Sequence, residues 1–177
     1  MAEEHFDILD DKGNITGEMR SRSDVHGKGL LHKSVHVWLL NSKKELLLQK
    51  RSLNDHAYPG LWDISASGHI SAGQTSLEAA RSETKDELGI NLPDTAFKHL
   101  FTIEERVILH NGTLINNEFQ DVYLVNSDVD PSTFNLQKEE VGEIKWIPVE
   151  EFKLLTEGDT IVPHEKEHRK LLKFLDQ

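Results

Sequence analysis

Residues 68–90 read GHISAGQTSLEAARSETKDELGI, and this stretch decides the fold. Its second half predicts a helix over Ser76–Leu88, with Gly89 standing where a C-cap belongs. At about 100° per residue, Leu77, Ala80, Thr84 and Leu88 share one face. Glu83, Asp86 and Glu87 share another, roughly 110° round, at neighbouring helical spacings. Three carboxylates near a helix C-terminus repel one another and sit at the negative end of the macrodipole. A divalent cation reverses both penalties, and hard oxygen ligands suit Mg²⁺ or Mn²⁺. Taken alone, the helix reads more readily as a solvated acidic face, with Arg81 and Lys85 offsetting the charge.

Working outward, residues 35–40 and 46–49 predict two strands joined by a polar turn at 41–45. Residues 6–19 predict a hairpin around Asp10-Asp11-Lys12-Gly13-Asn14, followed by a polar, glycine-containing loop over 21–29. Residues 52–75 read as loop-rich, punctuated by Pro59, Gly60, Gly68 and Gly73. Beyond the central helix, residues 97–103, 105–109 and 114–125 are β-like, with Asn111-Gly112 as a hairpin turn. Residues 143–147 form a short strand, Val149–Leu155 a helical turn or two, and 163–175 an amphipathic helix opened by Pro163. Many strands with one central and one C-terminal helix predict an α+β domain with a mixed β-sheet. A doubly wound parallel fold needs regular strand–helix alternation.

The 177 residues fit one domain. With 37% hydrophobic and 29% charged residues the chain reads as an ordinary globular protein, and no apolar run approaches the length of a membrane span. The opening Met1-Ala2-Glu3-Glu4-His5 shows no signal-peptide pattern. Without cysteine there is no disulfide, zinc–thiolate site or thiol nucleophile, and a cytoplasmic setting is expected. Twenty Lys and Arg against 31 Asp and Glu give a net charge of −11 with no dense basic tract, which argues against a nucleic-acid partner. A phosphate-bearing ligand needs local arginines or bound metal to approach such a chain.

The spacing of residues 68–90 resembles the Nudix box: Gly, five residues, Glu, seven residues, Arg-Glu-apolar, one residue, Glu-Glu, one residue, Gly-apolar. Gly68, Glu83, Glu87, Gly89 and Ile90 match without insertion or deletion. Asp86 keeps the charge of the first paired Glu. Gln74 replaces the early Glu, Ser82 the Arg and Thr84 the apolar residue. In the family the early Glu and the Arg form an ion pair tying loop to helix. Losing both together leaves two neutral groups rather than one unpaired charge, so the change reads as structural rewiring. The resemblance extends upstream through Leu46-Leu47-Leu48-Gln49-Lys50-Arg51, Tyr58-Pro59-Gly60-Leu61-Trp62-Asp63 and Gly68-His69, and downstream through Glu140-Val141 and Trp146-Ile147-Pro148. It is similar to the branch that includes type 1 isopentenyl-diphosphate isomerase and its hydrolase relatives.

The resemblance implies an α/β/α sandwich of residues 1–177, with an N-terminal hairpin and loop (1–29), a core (30–155) and a C-terminal helix (163–177). It implies metal-dependent hydrolysis of a diphosphate linkage in a nucleoside diphosphate or other small organic diphosphate. Mg²⁺, or Mn²⁺, would be held by Glu83, Asp86, Glu87 and the Gly68 carbonyl. Glu118 and Glu140 are candidates for the general base. Arg51 is the candidate phosphate grip or a surface arginine, and Lys50 a weaker one. His69 touches ligand or metal, or is a hydrogen-bonded loop residue; Trp62 stacks on a ring or packs in the core. In the isomerase, three His and two Glu hold metal. His32, His69 and Glu118 fall at matching positions, His26 lies slightly out of register, and Asn116 takes the second acid's place. Ser67 stands where the isomerase has its cysteine, which weakens the isomerase reading. Spacing alone does not join His26, His32 and His36 into a separate metal site. A Nudix domain that binds a phosphorylated ligand without cleaving it is a further alternative. The oligomeric state is open, a homodimer included. His164-Glu165-Lys166-Glu167-His168 fits a zinc-protease string, but its charged middle reads as exposed helix surface, with Leu171, Leu172 and Leu175 packing beneath.

Overall fold

The computed structural model describes residues 3–177; Met1 and Ala2, which open the stretch read for a leader, lie outside the described residues. A hairpin of β1 (His5–Leu9) and β2 (Ile15–Ser21) leads into α1 (Arg22–Lys28). Then come β3 (His32–Leu40), β4 (Glu45–Arg51), β5 (Trp62–Asp63), β6 (Ala66–His69) and α2 (Ser76–Leu88). The long strands β7 (Phe97–Leu109) and β8 (Leu114–Asn126) follow, then β9 (Val141–Pro148), α3 (Val149–Leu155) and α4 (Glu165–Leu175).

The main sheet runs β5-β4-β3-β8-β7, with β6 added to β3 and β9 to β4. Only the β3–β8 pair is parallel among these pairings, so the sheet is mixed and the α+β class expected from the element pattern is the one observed. Alternation along β3 sorts the two layers, since successive side chains point to opposite faces. Val35, Val37 and Leu39 pack with Leu47, Ala79, Ala80 and Leu88 beneath α2. Trp38 packs on the other face with Leu46, Leu48, Phe152 and Leu171 beneath α3 and α4. Helices therefore cover both faces.

The sheet opens where the site lies. β3 and β4 pair only at Leu40 and Leu46, then diverge. β6 fills the gap on the β3 side, opposite residues 34–37, while β5 lies against Gln49 and Lys50 of β4. The same face of β3 that buries Trp38 carries His32, Ser34 and His36 toward the opening. Their neighbours on β8 are Glu118, Gln120 and Val122.

Two local expectations are corrected. Residues 21–29 are not a loop but contain α1. Ser21 caps its start by accepting from the Asp24 amide at 3.4 Å, Gly29 ends it at φ +65°, and Val25 is its buried anchor. So short a helix offers too few apolar positions for a period to show. Residues 97–109 form one strand rather than two, with an irregularity in pairing between His99 and Phe101. Within the loop-rich span, β5 and β6 are strands too short to read from alternation. Among the described residues no helix is long and apolar enough to cross a membrane. The two-layer core predicts that Leu47→Ala, at a fully buried site, lowers unfolding free energy by about 2–5 kcal/mol in urea denaturation. Leu53→Ala, at a position 83% exposed, should change it by less than about 0.5 kcal/mol.

Candidate functional site

The geometry of α2 sets the acidic wall. Thr75 and Glu78 form a reciprocal capping box at its start, the Thr75 hydroxyl accepting from the Glu78 amide at 3.3 Å and the Glu78 carboxylate from the Thr75 amide at 2.8 Å. Thr84, buried on the packing face, donates its hydroxyl to the Ala80 carbonyl at 2.7 Å; this is how a polar residue occupies an apolar position. Gly89 ends the helix at φ +73°, and a Cβ there would meet the Asn135 backbone at 2.6 Å. No hydrogen bond joins Gln74 to Ser82 among the described residues. Gln74 accepts from the Ser71 amide instead, and the N-terminal hairpin holds the loop through Asp7 to the Gly73 amide and the His5 carbonyl to the Ala72 amide.

Glu83 and Glu87 face a cavity of about 520 Å³, a size suited to a small organic ligand. Gly68 lies directly against Glu83: a Cβ at this glycine would sit 2.2 Å from the carboxyl carbon. Burial, reinforced by Glu140 and Asp86, pushes Glu83 up to about 8. Glu87 is 3% exposed and is also raised well above its ordinary value, by burial first and by Glu83 next. Its carboxylate accepts from the Ser67 amide at 3.1 Å and from Gln49 Nε2 at 3.2 Å. Neither acid forms an ion pair with a protein cation among the described residues. Two adjacent acids made costly to ionise, beside a glycine that leaves room, fit a site for a hard divalent cation.

A second wall carries nitrogen donors. His26, His32 and His69 each bring a ring nitrogen within 4.8 Å of the others. The Leu30 carbonyl lies 3.0 Å from His32 Nδ1, so that nitrogen carries the proton and Nε2 turns toward Glu118 at 3.5 Å. His69 Nε2 lies 3.2 Å from the same carboxylate, and Gln120 donates to its other oxygen at 3.0 Å. Burial opposes ionisation of Glu118, but His32 and His69 outweigh it and hold the carboxyl well below its usual range. Burial and the two neighbouring imidazoles push His26 down to about 4. Phe6 of β1 stacks on His69 and His32, with centroids 4.8 and 5.3 Å away. Three imidazoles and a carboxylate suit a borderline transition ion better than Mg²⁺. The structure thus joins His26 and His32 to His69, which sequence spacing did not; His36 lies apart from them.

Gly68, His69, Glu83, Glu87 and Glu118 all line the cavity, as do Arg51 and the exposed Glu140. Arg51 is committed on both sides, to Asp63 at 2.7 Å and Asp55 at 2.6 Å. Three expected site residues stand outside. Asp86 is exposed, turned about 100° from Glu87 on the helix. Trp62 packs on the core beneath α3 and α4. Lys50 and Lys145 lie over its ring, at 5.6 and 4.6 Å from the centroid, so Lys50 points at Trp62 rather than the cavity. The string at 164–168 is not exposed surface either: Glu167 and His168 are buried, because the sheet-facing stripe of α4 includes them with Leu171. Asp63, His36 and His164 were missed as site residues. The signal for His36 was the polar alternation His32-x-Ser34-x-His36 on one face of a strand otherwise apolar.

Two outcomes follow. A carboxyl raised on folding favours the protonated state, so this contribution to stability is full below the ordinary Glu value and is lost as pH climbs toward about 8. The metal-free protein should therefore melt lower at about pH 8 than at about pH 5, Glu83→Gln should flatten that slope, and Mg²⁺ should raise Tm more at the higher pH. In calorimetric titration, Gly68→Ala should weaken Mg²⁺ binding because the methyl group collides with Glu83.

The NUDIX domain model matches residues 30–173. The chain is similar to Nudix hydrolase 3 of Arabidopsis thaliana, 44% identical over all of this chain, which spans 24% of that protein's length. It is 33% identical to an uncharacterized Nudix hydrolase of Listeria monocytogenes, covering 91% of this chain and 89% of that one. An isopentenyl-diphosphate Delta-isomerase of Pectobacterium atrosepticum is 31% identical over 81% of this chain and 76% of its own. Among solved structures, DR0079 from Deinococcus radiodurans superimposes with a TM-score of 0.72 over 98% of both chains at 19% identity, a likeness of fold. With the family model spanning the main sheet, α2 and most of α4, the chain belongs to the NUDIX family.

Proposed function

We propose that the chain is a divalent-metal-dependent hydrolase that cleaves a diphosphate linkage in a small organic or nucleoside diphosphate. The observation that carries this is the pairing of Glu83 and Glu87 against Gly68 on one cavity wall, with no ion pair to a protein cation among the described residues. In this reading Glu83, Glu87 and the Gly68 carbonyl hold Mg²⁺ or Mn²⁺, and Asp86 acts only through its charge. When bound, the ion neutralises phosphate oxygens and lowers the pKa of water. Glu140 is the better-placed base for the attacking water, since it is exposed at the cavity and free on one oxygen, while Glu118 is engaged by His32, His69 and Gln120. Arg51, paired with Asp55 and Asp63, and His69 both border the ligand space. The partner is a small molecule; a net charge of −11 argues against nucleic acid, and the lack of cysteine suits a cytoplasmic setting.

A second reading has its own support. The cluster of His26, His32 and His69, with His32 and His69 against Glu118, favours isomerase-type chemistry on an isopentenyl diphosphate. Ser67 and Asn116 count against it, because a serine hydroxyl is a far weaker acid than a thiol. A panel of diphosphates with Mg²⁺, read for released phosphate and for isomerised product, separates the readings. Hydrolysis is expected, and Glu87→Gln should lower kcat roughly 100-fold. Unchanged turnover in that variant would remove the metal assignment; thermal-shift binding without turnover of any compound would indicate a ligand-binding domain.

A further inference from the structure

The string at 164–168 places a buried acid where the catalytic reading has no use for one. Glu167 is fully buried, and its carboxylate accepts from His36 Nδ1 at 2.6 Å and from Trp38 Nε1 at 2.6 Å. His36 lines the cavity, and its other nitrogen, Nε2, makes no hydrogen bond among the described residues. Beside it, 5.0 Å away between ring centroids, His164 also lines the cavity and rests with Nε2 3.2 Å from Asp63. We propose that the His36–Glu167 pair is a proton-transfer centre for phosphate bound in this cavity, with His164 on Asp63 as a cation beside it. This rests on the hydrolase reading above.

Three arguments carry it. A carboxylate bonded to one ring nitrogen fixes the tautomer and leaves the other nitrogen to exchange a proton with whatever the cavity holds. Glu167 also needs a counter-charge. Trp38 is neutral, and Arg51 on β4 is committed to Asp55 and Asp63, so only imidazole protons can supply it. The charged and titratable groups facing the pair are Asp63 on β5, with Arg51 of β4 paired to it, Glu118 on β8, His164 just before α4 and His168 on α4. Burial works against ionising Glu167, yet His36 outweighs it and the carboxyl lies below its usual value. Burial likewise opposes protonating His164, and Asp63 reverses this. Burial drives His168 down to about 4; it is neutral and packs edge-on against Trp38 and Phe152. Thirdly, an ion pair serving only to dock α4 gains nothing from keeping an imidazole edge on the cavity.

The step balances without a co-reactant. Water oxygen forms a bond to phosphorus, and the bridging P–O bond breaks with its electron pair going to the leaving phosphate oxygen. Doubly protonated His36 gives the Nε2 proton to that oxygen, the water proton passes to Glu140 and on to solvent, and solvent reprotonates His36. The same three side chains could gather a metal, since His36, His164 and Glu167 bring ligand atoms within 4.8 Å of one another. Two short N–H donors already on Glu167 favour the proton reading.

The test uses the whole chain, ¹⁵N-labelled at histidine, with inorganic pyrophosphate and Mg²⁺ as probe. Long-range ¹H–¹⁵N spectra should show His36 protonated at Nδ1, with the Nε2 resonance moving when pyrophosphate is added. His36→Gln should lower kcat on the order of 100-fold with little change in KM, and erase the fall of kcat at high pH. Glu167→Gln should shift the His36 resonances and move that limb of the profile. A His36 resonance indifferent to pyrophosphate overturns the proposal, as does unaltered kcat in His36→Gln or a stoichiometric metal ion displacing the Nδ1 proton. Should the wild type cleave no diphosphate, the hydrolase reading falls by itself, and the His36 response to pyrophosphate still decides this one.

Discussion

Gly68 and Glu83 occupy space that only a glycine permits them to share, and much of the molecule is arranged around that contact. It presses a carboxyl group of α2 against the strand β6 that wedges the sheet open. Glu87, one turn on, is buried by the same approach and anchored by an amide of β6 and a side chain of β4. Burial of two neighbouring acids is unfavourable unless protons or a cation neutralise them. Among the described residues the fold pairs neither acid with a lysine or arginine, and Arg22, in the same cavity, only partly offsets the charge at Glu83. The fold supplies rigid helix caps, a tight C-terminal glycine and a hairpin that braces the preceding loop, all of which hold the unfavourable pair in place.

The braces also account for the departures from the family pattern. The ion pair that ties loop to helix elsewhere is absent, with neutral Gln74 and Ser82 in its place. Backbone bonds from the N-terminal hairpin, together with the Gln74–Ser71 contact, do the tying here. The same hairpin delivers Phe6 onto the His32 and His69 rings, so one element steadies both walls.

The sequence disclosed most where periodicity was long or spacing fixed. The mixed sheet, α2 with its terminal glycine, and the acids at 83 and 87 could be read from residues 68–90 and their surroundings. Asp86 could not be separated from them, because charge at i+3 looks alike whether it faces a cavity or water. Trp62 and Arg51 illustrate the same limit: their residue types suit ligand binding, but partners distant in sequence, Lys145 for one and Asp63 for the other, settle where they point. The resemblance to the isomerase matched His32, His69 and Glu118, with His26 slightly out of register, but spacing alone did not disclose the histidine wall. His26 lies in the last turn of a seven-residue helix, His32 begins a strand and His69 ends another; the pairing of β3 with β6 and β8 sets the last two side by side.

Four buried acids surround this opening, and each is stabilised in a different way. Asp63 has Arg51 and His164, Glu118 has His32 and His69, and Glu167 has His36 and an indole N–H. Glu87 alone has only neutral donors. The protein can supply positive charge beneath the β-sheet floor, where strand alternation presents imidazoles, but it withholds it from the helix wall. That asymmetry gives the cavity a direction. One side presents acids without an ion-pair partner among the described residues, and the other presents imidazoles backed by carboxylates. In the proposed function, a chain with so large an excess of acid admits a diphosphate through such an arrangement, in which the negative groups nearest the ligand are each masked by a proton, an imidazole or a metal ion.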